Sequence, residues 1–252
     1  MTPTIVAAVQ FQPELLNVEK NLSVALQLTF EAASKGARLI VLPETCIGGN
    51  VLRDEREALK VCQEKDGYQT QAFMSLAAAM NCRIVLGYVQ LFENCLYNSA
   101  VVIGPYGVEG NVQKKNLFGS DYLWCEPGDM TLNPVMVTEN VGRLGVLVCR
   151  DAMNHYRKSY AFNKDNQPFY RKGSVDTIAL LTSWGGEYAY PDVSWMELGE
   201  SLSANVVVSN RVGRERDMSY KGGSCIITRN QKVYTNGSNF DGPAVVGGII
   251  EL

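Results

Sequence analysis

Apolar residues in this chain gather into short runs broken by polar turns, and helical spacing is sustained in only a few places. IVAAVQF (5–11) is a compact apolar run and predicts a buried strand. In NVEKNLSVALQLTFEAASKGA (17–37), Val18, Leu22, Ala25, Leu26 and Thr29 recur at helical spacing, and Gly36 supplies a C-terminal stop. RLIVLPE (38–44) predicts a buried strand that stops at Pro43, and QTQAFMSLAAAMN (69–81) predicts a helix. RIVLGYVQL (83–91) and LYNSAVVIG (96–104) read as strands around a turn at Glu93–Asn94. VEGNVQKKN (108–116) looks extended after a Pro-Tyr-Gly turn. RLGVLVC (143–149), VDTIALLTSW (175–184) and NVVVSNRVG (205–213) are strand-like, with a helix over VSWMELGESLSA (193–204). SCIITRNQKVY and PAVVGGIIEL give two closing strands.

Strands alternating with a few long helices predict a layered α/β protein whose sheets are covered by helices on their outer faces. No internal repeat or linker interrupts the pattern, and the irregular stretch 157–174 reads as a loop. The 252 residues are 46% hydrophobic and 19% charged, enough apolar material for a full core. A net charge of −3 offers no basic face, so nucleic acid is not an expected partner. The amino terminus shows no signal-peptide pattern, and no apolar run approaches the roughly 20 residues of a membrane helix. Seven cysteines without a CxxC pair fit free thiols in a reducing, cytoplasmic setting. The lone histidine, His155, excludes multi-histidine metal sites and leaves any histidine-dependent triad resting on one residue.

Three polar residues stand where apolar runs stop: Glu44 after RLIVLPE, Lys114 in NVQKKNLF and Cys149 after RLGVLVC. In α/β folds the carboxyl ends of strands are where reactive groups converge. A thiolate is a nucleophile, a carboxylate can take its proton and return it to a leaving amine, and a lysine stabilises an oxyanion. Each residue also has a plainer reading. Cys149 fits a small core hydrophobe, Glu44 a loop cap, and Lys114 with Lys115 a solvated strand edge.

LPETCIGG (42–49), KKNLFGSDYLWCEPGD (114–129) and GVLVCRD (145–151), in that order, resemble the nitrilase superfamily of carbon–nitrogen hydrolases. IVAAVQFQP, LLTSWGG, VVVSNRVG and GGSCIITRNQKV extend the resemblance over nearly the whole chain. It implies a single carbon–nitrogen hydrolase domain over 1–252, with a four-layer α-β-β-α sandwich and a homodimer as the expected assembly. On the matching motifs it implies that Glu44 is the general base, Cys149 the nucleophile and Lys114 the catalytic lysine. Leu117, Phe118 and the later EPGD set the lysine register. Seven positions after Lys114, where many members carry a second glutamate, this chain has Asp121, expected to orient Lys114 or the attacking water. The backbone N–H of Arg150 is expected to join Lys114 in an oxyanion hole, and Asp151 to fix the turn beyond the nucleophile.

The chain departs from the family pattern at three places. Asn116 replaces a usual histidine, Ala-Met-Asn-His-Tyr follows Cys-Arg-Asp, and SLSAN stands where Arg-Ala-x-Glu-Asn is frequent. Asn116, Trp184 and His155 are candidate pocket residues, and Arg150, Arg157 and Arg171 are candidates to meet a substrate carboxylate, with a surface charge or structural ion pair as the plainer and favoured reading of each arginine. The resemblance implies hydrolysis of a small-molecule amide through a thioester, with no metal or organic cofactor. Cys-Arg-Asp instead of Cys-Trp-Glu argues against a nitrile. An N-carbamoyl substrate is the alternative within the enzyme class, and a binding protein with little turnover is the alternative outside it.

Overall fold

A computed structural model describes residues 3–129, 136–152, 170–185, 193–235 and 242–252. Along the chain run β1 (Thr4–Gln10), α1 (Val18–Ser34), β2 (Leu39–Val41), α2 (Glu55–Leu59), α3 (Tyr68–Met80), β3 (Arg83–Phe92), β4 (Cys95–Gly104) and β5 (Gly107–Gln113). They are followed by β6 (Met136–Thr138), β7 (Gly142–Val148), β8 (Thr177–Thr182), α4 (Val193–Leu202) and β9 (Asn205–Asn210). The last elements are β10 (Val212–Glu215), β11 (Met218–Lys221), β12 (Cys225–Ile227), β13 (Val233–Tyr234) and β14 (Ala244–Ile250).

Two six-stranded sheets result. The first has the order β14-β1-β2-β3-β4-β5 and the second β13-β12-β9-β8-β7-β6. In the first sheet β1, β2 and β3 run parallel; in the second β7, β8 and β9 do. Val6 and Ala8 of β1 join Leu39 and Val41 of β2 in the core shared with the second sheet. Ala7 and Val9 turn the other way, with Ile40 and Leu42, onto Ala25 and Ala32 of α1 and Phe73 and Ala77 of α3. A strand buried on both faces reads as a near-continuous apolar run, which is why VAAV (6–9) and LIV (39–41) lack alternation. Trp195, Leu198 and Leu202 of α4 cover the second sheet. The layers are therefore helix, sheet, sheet, helix, as the sequence predicts, and no helix among the described residues is long and apolar enough to cross a membrane.

Several boundaries differ from the sequence expectation. The extended stretch 108–116 is β5 up to Gln113, and Lys114 already lies beyond it. The strand expected over 205–213 divides into β9 and β10 at Arg211, whose buried side chain pairs with Glu215 and donates to the Pro13 carbonyl at 3.3 Å. α2 is short and carries no strong apolar period; it forms on its cap, where Asp54 accepts from the Glu57 N–H at 2.9 Å. The loop expected over 157–174 falls mostly outside the described residues.

Candidate active site

Glu44 follows β2 by three residues, at the carboxyl end of the parallel strands. Its segment continues along β3: the Leu42 N–H donates to the Val85 carbonyl at 2.9 Å and the Cys46 N–H to the Gly87 carbonyl at 3.1 Å. The chain beyond is tied to the β10–β11 hairpin. Glu215 accepts from the Asn50 N–H at 2.7 Å, and its partner Arg211 lies over the Tyr220 ring at 4.5 Å. Glu44 thus sits between two anchored backbones, 1% exposed.

Lys114 leaves β5 with its backbone held on both sides. Its N–H donates to the Asn98 carbonyl and its carbonyl accepts from the Gly128 N–H, both at 2.8 Å. Its Nζ donates to Glu44 Oε1 at 2.6 Å and to Asp121 Oδ2 at 2.7 Å. Asp121 lies in a 3-10 turn over Gly119–Leu123 and also accepts from the Phe118 N–H at 3.0 Å. Burial works against the Lys114 charge, but the Glu44 and Asp121 carboxylates outweigh it and hold the ammonium well above the ordinary lysine range. The lysine is a fixed cation.

Cys149 arrives from the other sheet. β7 ends at Val148, and Cys149 opens a 3-10 turn through Ala152 with φ +48°. That left-handed conformation is uncommon for a residue with a side chain and marks a sharp strand-to-turn corner. The thiol is 7% exposed. Burial pushes its pKa up, the Glu44 carboxylate pushes it further, and Lys114 and a hydrogen bond from the Ser183 backbone pull it down. Ser183 follows β8 and also reaches the Glu44 carbonyl through its Oγ at 3.4 Å. Its neighbour Trp184 is fixed by Asn210, which accepts from the Trp184 N–H at 2.8 Å and donates to the Trp184 and Gly222 carbonyls.

Glu44, Lys114, Asp121 and Cys149 therefore come together where the two sheets meet. Asp151 lies in the Cys149 turn, and its Oδ1 accepts from the Asn116 N–H at 2.8 Å, so it ties that turn to the lysine loop. Asn116 serves there through its backbone. Arg150 stacks over Phe118, 5.0 Å from the ring centroid. Trp184 is buried edge-on to Trp195, with centroids 6.0 Å apart. His155 and Arg157 lie outside the described residues. Arg171 is exposed and precedes the amino end of β8, whereas the four clustered groups gather at the carboxyl ends; it is removed from the site. Cys46 is buried in the core of the first sheet and its helices, with its Sγ donating to the Gly87 carbonyl at 3.5 Å.

The sequence reading passed over Asn98. Its Nδ2 donates to Glu44 Oε1 at 2.8 Å and to Asp121 Oδ1 at 3.2 Å, and it is fully buried. The available signal was an asparagine inside the apolar run LYNSAVVIG, a residue type depleted in strands. Gly87 and Asn210 were likewise passed over.

The model of the family described as carbon-nitrogen hydrolase matches residues 5–240. A nitrilase from Pyrococcus abyssi is 31% identical over 92% of this chain and 84% of its own length. A glutamine-dependent NAD(+) synthetase from Acinetobacter baylyi is 28% identical over 93% of this chain, which spans only 42% of that longer protein. Among solved structures, a mutant amidase from Nesterenkonia sp. in complex with acrylamide superposes with a TM-score of 0.80 over 98% of this chain and 90% of its own, at 16% identity. With the match running from the first strand nearly to the last, the chain belongs to the carbon–nitrogen hydrolase family of the nitrilase superfamily.

Proposed function

We propose that this carbon–nitrogen hydrolase cleaves a small-molecule amide through a thioester acyl-enzyme, with Cys149 as nucleophile, Glu44 as general base and acid, and Lys114 as oxyanion donor. One observation carries the reading: a buried ammonium, 2.6 Å from Glu44 and 2.7 Å from Asp121, whose charge and that of Glu44 both act on the Cys149 thiol. A thiol with a raised pKa is almost wholly protonated at neutral pH, so its attack needs a base beside it. Glu44 takes that proton as the sulfur–carbon bond forms. The carbonyl electrons move onto oxygen, and the Lys114 ammonium and the Arg150 N–H donate hydrogen bonds to the oxyanion.

Collapse of that intermediate breaks the carbon–nitrogen bond. Glu44 hands its proton to the departing nitrogen, and ammonia leaves. Water then attacks the thioester as Glu44 accepts a water proton, and the carbon–sulfur bond breaks as Glu44 passes that proton to the departing sulfur, giving the acid, the thiol and the Glu44 carboxylate again. Asp121 keeps Lys114 in place throughout. The chemistry calls on no metal or organic cofactor.

The Cys-Arg-Asp sequence and the likeness to an acrylamide-bound amidase favour amides. The likeness to a nitrilase keeps a nitrile reading in view. A panel of small amides, ω-amides, N-carbamoyl amines and nitriles, assayed for ammonia and carbon dioxide, decides between them. Ammonia alone from amides supports the proposal; carbon dioxide with ammonia moves it to a carbamoyl substrate; turnover of nitriles alone overturns it. Wild-type turnover by Cys149→Ala sinks the assigned nucleophile, and a folded protein that turns over no member of the panel would mark a binding protein instead.

A further inference from the structure

We propose that Asn98 is a positioning residue that clamps Glu44 and Asp121 around Lys114 and leaves one Glu44 oxygen for the thiol proton. The proposal rests on the amidase reading above. Asn98 lies on β4 with Ala100 and Val102, and those two alternate positions face the second sheet in the shared core. The same period brings the carboxamide to the end of that face, where Cys149 arrives.

One residue then does three things. Its carbonyl fixes the Lys114 backbone at 2.8 Å, and its two amide hydrogens reach Glu44 Oε1 and Asp121 Oδ1. The amide orientation is dictated electrostatically, because a reversed carboxamide would set its oxygen against two carboxylates. Asn98 Oδ1 is buried and has no hydrogen-bond partner among the described residues. A buried acceptor left without a partner costs stability. Its retention at this position fits a side chain placed for its donors.

Both the Lys114 and Asn98 bonds fall on Oε1 of Glu44. This pins the carboxylate plane from one side and assigns proton transfer to Oε2. The charge balance points the same way. Lys114 supplies one positive charge against two carboxylates, and the amide dipole supplies the remaining donors without adding net charge. Among the described residues, the other titratable groups that feel Glu44 include Cys149 and Asp151 of one turn, Cys125 and Tyr220, from three further segments of the chain.

The test compares Asn98→Leu and Asn98→Asp with wild type and Cys149→Ala on the best amide of the panel, over a pH series. For Asn98→Leu the expected result is a kcat lower by about 10- to 100-fold, a KM within about two-fold, and an acid limb of kcat/KM displaced to higher pH, because the base loses a donor to its charged form. Asn98→Asp, nearly identical in shape but adding a carboxylate, is expected to displace the limb further. A purely structural asparagine would lower the melting temperature and leave the limb in place. Wild-type kcat and limb in a folded Asn98→Leu, with Cys149→Ala inactive, overturn this proposal alone. If Asn98→Leu does not fold, an undisplaced limb in Asn98→Asp overturns it. Activity in Cys149→Ala brings down the amidase reading and this proposal together.

Discussion

Gly87 of β3 lies so close to Glu44 that a Cβ on it would stand 2.8 Å from the Glu44 Cα and 2.3 Å from the Pro43 carbonyl oxygen. The missing side chain is what lets the Glu44 segment run against β3 and accept its carbonyl as a partner. Gly87→Ala is expected to push residues 43–45 outward, cost about 1–3 kcal/mol of stability as an overpacked core site does, and lower kcat because a base displaced by even 1 Å loses its geometry. Chemical denaturation together with steady-state kinetics checks both halves. Unchanged kcat would mean that the site tolerates the shift.

Lys114→Met keeps most of the lysine's length and removes its charge. Glu44 and Asp121 are then buried with no cation between them. Breaking a buried ion pair from one side costs about 3–5 kcal/mol, and if Lys114 is the oxyanion donor proposed above its loss lowers turnover by about 10²–10³. A melting temperature near that of wild type would show that the two carboxylates find other partners.

Asp151 is fully buried, and its pKa is raised from the ordinary 3.8 to about 7, first by burial and against the pull of the Asn116 N–H and Lys114. Between these two pH values the unfolded chain has lost this proton while the folded chain still holds it. This residue's contribution is therefore complete below the lower value and is lost as pH rises toward about 7. Asp151→Asn retains a side-chain oxygen for the Asn116 N–H and cannot titrate. Its stability curve, measured by denaturation at several pH values, should be flatter than wild type across that window.

Glu44→Gln separates charge from base chemistry. After burial, the Glu44 carboxylate is the largest influence raising the Cys149 pKa. Removing its charge should move the pH midpoint of Cys149 labelling by a small methanethiosulfonate downward, even as turnover falls by about 10²–10⁴ for want of the base. A midpoint that moves upward would mean that Glu44 acts on the thiol in some way other than through its charge.

The legible part of this protein lay in local patterns. The continuous apolar runs at 5–11 and 38–42 fitted strands covered on both faces, and the helical spacing of 18–29 fitted α1. Glu44, Lys114 and Cys149 could be singled out because each interrupts or ends such a run. Asn98 was not separated from its strand, since a single polar residue among LYNSAVVIG gives no sign of what it faces until β4 is placed against the second sheet. Arg171, a charge on the surface, is exposed and precedes the amino end of β8, which its position in the sequence alone did not reveal.

Taken alone, the order of residues determined the layered α/β class and the run of strands and helices, because hydrophobic period is written along the covalent chain, and its motifs, by their resemblance to the family, singled out Glu44, Lys114 and Cys149 as candidates for reactive chemistry. Only the tertiary structure decided that Lys114 Nζ meets Glu44 across 70 positions, that Asn98 joins Glu44 to Asp121, that Gly87 must lack a side chain and that Cys149 turns with a positive φ. Those relations arise between segments brought together by packing two sheets, and no local rule sets the distance between residues that far apart.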